Sequence, residues 1–242
     1  MRPIERVVWS AAFAAFSGVA AAAPYFYVDW QTVTPTAGTA SGVITLPDAS
    51  TVNVGFQAVN PNGSPGSFFF GQTGCGTNYW NPSTPYTSTQ VDNPPPNCEL
   101  LALIGGVNQI YNVTLSEPIK DPIMAIVSLG QNSVPTTYDF NAPFTIVSQG
   151  VGFWGGGATA LTQLAGDVLR GTEGHGTIQF VGTFGNFSWT VPTPENWHGF
   201  TFAIRTTPRI EPPNGKVSEP ATLTLLAIAI GALALGRRRR AR

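Results

Sequence analysis

Pro122-Ile-Met-Ala-Ile-Val-Ser-Leu129 is a continuous apolar run, as expected for a strand inside the core of a β-sandwich. Its neighbours carry the complementary signal. Val107 to Ser116 alternates through Val107, Gln109, Tyr111, Val113 and Leu115, and Thr51-Val-Asn-Val-Gly-Phe56 puts Val52, Val54 and Phe56 on one face. Upstream, Tyr25 to Val33 is aromatic and β-branched, Gly42 to Leu46 follows, and Pro47-Asp48 marks a turn. Downstream, Tyr138 to Ser148 is taken as one strand, Gly150 to Gly157 as a glycine-dense bend carrying Trp154, and Gly199 to Thr206 as the last strand. Gly176 to Phe184 and Asn186 to Val191, joined across Gly185-Asn186, make the best hairpin in the chain. Thr159 to Leu169 has room for one turn or a short helix at most. About nine or ten short strands in roughly 180 residues predict an all-β fold, an antiparallel β-sandwich of jelly-roll-like type.

Residues 60–97 break the pattern. Pro61 to Gly66, Asn81 to Pro85 and Pro94-Pro-Pro96 punctuate a long Pro/Gly-rich excursion, and such loops are functional, stapled or mobile. Cys75 and Cys98, the only two cysteines, offer a staple. In an exported chain an isolated pair is most simply one disulfide; two free thiols or half of a metal site are the alternatives.

The chain has 12 basic and 13 acidic residues. Seven of the basic ones sit in the terminal segments, so residues 23–220 carry a net charge of about −7. A body this acidic repels phosphate backbones, which argues against nucleic acid as a partner. Few charges with many Gly, Pro, Thr, Ser and Asn suit short strands in an exported protein.

The ends supply the address. Residues 1–22 form a secretory signal helix: Arg2 and Arg6 precede an apolar run, Val7 to Val19, and small residues favour cleavage after Ala22. An uncleaved anchor is the alternative. Residues 23–206 are the ectodomain, and residues 207–218, with Pro208, Pro212 and Pro213, form an extended linker. Residues 217–242 run from Val217-Ser-Glu-Pro-Ala-Thr222 through the uncharged apolar segment 221–236 to an arginine cluster. As a helix, that segment reaches roughly 24 Å, short of a hydrocarbon core of about 30 Å, and flanking arginines can snorkel to close the gap. Positive charge after a transmembrane helix puts the C-terminus in the cytoplasm and the acidic body outside. An ordinary unprocessed single-span anchor is the alternative.

This tail resembles the PEP-CTERM sorting signal of Gram-negative bacteria, through Val217, Glu219, Pro220, Ala221, Thr222, the apolar run and the arginines. Ser218 departs from the usual first proline of Val-Pro-Glu-Pro-Ala-Thr. The resemblance covers about a tenth of the chain. It implies handling by an exosortase, a transpeptidase-like membrane enzyme, and delivery to the surface or matrix of exopolysaccharide-making bacteria.

Within the body, Glu173, His175, Glu195, Trp197 and His198 flank the expected final hairpin, whose ends could bring them to one edge. Two carboxylates and two imidazoles can hold a ligand, and a neighbouring tryptophan can stack on a sugar ring. Glycines beside both histidines equally suit turns, where histidine caps backbone groups. No HExxH, GxSxG, calcium-loop or P-loop motif occurs, so neither metal nor cofactor is expected. The expectation is a non-enzymatic surface or matrix protein with a structural or adhesive role in exopolysaccharide or biofilm. A carbohydrate-binding module using Trp154, Trp197, His175 and Glu195 is the alternative, and a hydrolase in which Glu173 and Glu195 converge is a third.

Overall fold

The computed structural model describes residues 24–205. The signal segment, the linker and the sorting tail with its apolar span lie outside the described residues. Among the described residues, no helix is long and apolar enough to cross a membrane.

Among the described residues, all regular structure is β apart from two 3-10 turns, Pro35–Ala37 and Thr84–Tyr86. The first half holds β1 (Phe26–Tyr27), β2 (Asp29–Thr34), β3 (Thr39–Thr45), β4 (Thr51–Val59), β5 (Phe70–Gln72), β6 (Leu100–Gly105) and β7 (Ile110–Lys120). The second holds β8 (Ile123–Leu129), β9 (Thr136–Phe140), β10 (Phe144–Gln149), β11 (Val151–Gly152), β12 (Gly155–Gly156), β13 (Leu161–Gln163), β14 (Val168–Gly171), β15 (Gly174–Phe180), β16 (Thr183–Thr190) and β17 (Glu195–Ile204).

Two large antiparallel sheets form. One runs β10-β15-β8-β17-β6-β5, with β1 added to β17; the other runs β13-β14-β9-β16-β7-β4-β3-β2. Between them lies one core, fed by both: Trp30, Phe56, Tyr111, Phe140 and Trp189 from the eight-stranded sheet, and Met124, Ile126, Phe180, Phe200 and Phe202 from the other. Edge-to-face contacts tie the layers together, such as Trp189 with Phe200 at 5.0 Å and Phe140 with Phe180 at 5.1 Å.

The run quoted first behaves as its composition demands. Every residue of β8 is buried: Met124 and Ile126 face the core, while Ala125 and Val127 face the opposite side. That opposite side is covered by the long excursion. Trp80 and Tyr86 pack on Leu100, Ala102, Ala125 and Val127, and Val91 packs on Ile123 and Ala203 with Tyr25. Residues 73–97 therefore form a third layer over the seven-stranded sheet. Its ends are held by the Cys75–Cys98 disulfide and by Arg205, which donates to the Asp92 carboxylate at 2.7 Å and to the Gln90 carbonyl. The same guanidinium stands 4.3 Å over the Tyr25 ring.

Three expectations are corrected. Residues 176–191 do not form a hairpin: β15 and β16 turn at Val181-Gly182 and enter different sheets, while Gly185-Asn186 sits at a bulge within β16. The glycine there relieves a register shift instead of making a turn. The 138–148 segment is two strands, β9 and β10, split at Asn141 and Ala142 and sent to opposite sheets. At 159–169 a turn is present at Ala158-Thr159 but no helix follows it: the rest holds β13 and the start of β14. From β7 onward, leaving aside the small β11–β12 pair and the edge strand β13, each strand crosses to the other sheet from the one before it.

Candidate functional site

Side chains in a strand alternate between faces, so adjacent residues 197 and 198 must point apart. Trp197 lies on the outer side of the seven-stranded sheet, against Phe70 and Tyr79. His198 points into the core, its ring 5.2 Å from that of Tyr138 in the facing sheet. The five residues singled out from sequence thus fall into two groups.

The inner group is Glu195 and His198. Glu195 Oε2 stands 2.8 Å from His198 Nδ1, and both side chains are buried. The two atoms are close without counting as hydrogen-bonded, and Tyr138 Oη, close to the same carboxylate, likewise has no hydrogen-bond partner among the described residues. Burial first, and then the charge of Glu195, push the Tyr138 phenol well above its ordinary pKa. The hydroxyl is therefore a permanent donor. This cluster is enclosed in the interior.

The outer group is Glu173 and His175, and it reaches the surface. His175 Nδ1 accepts from the Ser128 backbone N–H at 3.3 Å and lies 3.1 Å from the Tyr86 hydroxyl. Burial, with the Glu173 charge adding to it, holds the Tyr86 phenol far above its ordinary pKa, so it too stays a donor. With Nδ1 accepting, the neutral ring carries its proton on Nε2, which faces Glu173 Oε1 at 3.4 Å. Ser128 Oγ donates to the same Oε1 at 2.5 Å. Ser128 and Glu173 both adopt left-handed backbone, at φ 59° and 54°, an uncommon state for side-chain-bearing residues. They flank the bulge at which β15 slips against β8.

Over this pair lies the β11–β12 hairpin. Gly152 packs on the His175 ring, and Gly156, at φ +76°, packs on the Glu173 carbonyl; neither place admits a side chain. The glycine-dense stretch is therefore a tight cap that projects Phe153 and Trp154 at its tip. Trp154 is 44% exposed and stacks on Tyr79 with centroids 5.5 Å apart. It also meets Trp197 edge-on at 4.7 Å.

Beside these rings opens a pocket of about 260 Å³, lined by Tyr79, Trp154 and Trp197 and by Ser128, Gln131, Glu173 and Asn196. It unites Glu173 and Trp197 from the sequence-derived set, with His175 behind Glu173. Glu195 and His198 are not among its lining residues. Glu173 and Glu195 therefore do not share this cleft, and the acid pair of a hydrolase is not assembled in it. Tyr79, Ser128, Gln131 and Asn196 were not singled out from sequence. They come from the covering loop, the end of β8 and its following turn, and β17, and only Asn196, next to Trp197 in a strand, was signalled locally. Among the described residues no group of three or more His, Cys, Asp or Glu could hold a metal ion.

Residues 216–240 match the family model of the PEP-CTERM protein-sorting motif. The tail is thus that of an exported, cell-surface-directed protein sorted by an exosortase. No curated protein and no solved structure matches the chain.

Proposed function

We propose that the exported body is a non-catalytic carbohydrate-binding protein, acting as an adhesive or structural component of an exopolysaccharide matrix. We read the alternation of its consecutive strands between the two sheets as jelly-roll-like. The observation that carries this reading is the pocket at Trp154 and Trp197. Indole rings lining a cleft beside amide, hydroxyl and carboxylate groups suit a sugar, whose C–H face is apolar and whose hydroxyls need partners. In this reading the tail holds the body at the outer face of the membrane through residues 221–236 until an exosortase releases it to the surface or matrix.

The test is binding of the protein to purified matrix polysaccharide and to a broad glycan panel. Saturable binding is expected, weakened at least tenfold in Trp197→Ala, as for loss of a central aromatic anchor. Absence of binding across the panel overturns the carbohydrate reading. Recovery of the full-length chain as a soluble cytoplasmic protein overturns the matrix role.

A further inference from the structure

The pocket has a charge as well as a shape. Glu173 is its only formally charged lining residue, and no Lys or Arg side chain lines it. The carboxylate is not idle bulk. Its Oε1 accepts from Ser128 and faces His175 Nε2, and both of those partners are themselves fixed, His175 by Tyr86 and the Ser128 amide. Glu173 Oε2 has no such partner among the described residues. Glu173 is 8% exposed, so the free oxygen sits partly out of water, where an opposite charge is attracted more strongly than in bulk solvent. The aromatic rings of Tyr79, Trp154 and Trp197 supply the apolar part of the wall and bring no charge of their own. A volume of about 260 Å³ lies near the lower end of ordinary ligand pockets, roughly 300–1,000 Å³, and suits one sugar ring rather than a long segment.

We propose that this pocket selects a cationic amino sugar, its ammonium group on Glu173 Oε2 and its ring against the indole walls at Trp154 and Trp197. The inference rests on the carbohydrate reading and narrows it. A uronic acid would set a second carboxylate against Glu173, inside a body of net charge about −7. An N-acetylated sugar has no cation to offer. Free amine and acetamide forms of one sugar therefore differ in the group that the pocket distinguishes, and the site discriminates a deacetylated glycan from its acetylated parent.

Full-length protein in detergent, titrated with glucosamine, N-acetylglucosamine and glucuronate oligosaccharides, gives the reading through quenching of Trp154 and Trp197 fluorescence. The expected order is glucosamine first by at least tenfold, with N-acetylglucosamine weaker and glucuronate weakest. Glu173→Gln keeps the side-chain shape and should erase the preference for glucosamine over N-acetylglucosamine. In the wild-type protein, glucosamine binding should weaken as salt rises while N-acetylglucosamine binding does not, which gives a readout that needs no variant. Equal or tighter binding of the N-acetylated sugar overturns the amino-sugar inference and leaves the carbohydrate reading standing. Failure of every sugar overturns both. Binding of a lysine-rich peptide in place of any sugar overturns both in favour of a protein partner.

Discussion

Gly152 lies against the imidazole of His175 so closely that a Cβ on it would overlap the ring. The contact couples the cap to the pocket floor, because the ring is held by Ser128 and Tyr86 from beneath and cannot retreat. Gly152→Ala must lift the β11–β12 hairpin and carry Trp154 away from Trp197. Stability should fall by about 1–3 kcal/mol, as for an overpacked site. Sugar binding should fall at least tenfold, and Trp154 emission should shift toward that of a solvated indole. Unchanged emission with unchanged binding would show that the cap does not set the pocket.

The Cys75–Cys98 bridge closes a separation of 23 residues. On the chain-entropy model such a loop contributes about 3 kcal/mol by restricting the unfolded chain. The paired Cys75→Ser and Cys98→Ser variant should lower the denaturant midpoint accordingly, and a reductant should do the same to the wild-type protein alone. Because the loop covers Trp80 and Tyr86, its loss should also raise the protease sensitivity of residues 73–97.

Glu99 accepts the Trp30 amide at 2.6 Å beneath the covering loop. Burial, offset in part by that hydrogen bond and reinforced by Asp29, raises its pKa from 4.5 to about 7. The folded protein then binds the proton more tightly than the unfolded chain. The resulting stability is fully present below about pH 4.5 and is lost as pH rises through about 7. Urea unfolding between pH 5 and 8 should show stability falling with pH. Glu99→Gln, which can still accept from Trp30, should flatten that slope, and an unaltered slope would assign it to other groups.

The buried Glu195–His198 contact makes a different prediction. His198→Leu leaves the buried Glu195 carboxyl without its polar neighbour at 2.8 Å and should cost about 1–3 kcal/mol, as for a buried polar group left alone. Removing both polar groups together, as Glu195→Met with His198→Leu, should cost less than the single change. Equilibrium unfolding of the three proteins checks the order. An additive result would mean that the two groups do not interact.

The ends can be read by mass spectrometry of the mature protein. The N-terminus should begin at Ala23, and the C-terminus should lack the arginines at 237–240. An intact C-terminus with a processed N-terminus would mark the tail as a permanent anchor and point to Ser218 as the residue that blocks release.

Local pattern carried the strands and stopped at their partners. The apolar run 122–129 and the alternation of 51–56 each suit a single kind of strand, and an isolated cysteine pair in an exported chain has the disulfide as its simplest meaning, so these features are legible. The path between sheets is not, because a strand buried on one face looks the same in either sheet, and on that account the sequence of β15 and β16 reads as a hairpin. Leu100–Gly105 was missed as a strand because the proline-rich loop runs directly into it. In the site, Trp197 and His198 were grouped by nearness in sequence, although the two-residue period sends them to opposite faces. Tyr79 and Ser128 reach the pocket only through tertiary folding, and no spacing could have announced them.

Arg205 closes β17, and the chain continues from there toward the tail. β17 is not an edge: it is hydrogen-bonded to β6 and β8 on either side, and to β1 near its end. Tension from a tethered C-terminus would act along this strand, loading its ladders together in shear instead of unzipping them one bond at a time. The Arg205 clasp to Asp92 and Gln90 stands at the point where that load would enter. A body held by such a tether would thus be pulled through the middle of its sheet, not peeled from an edge.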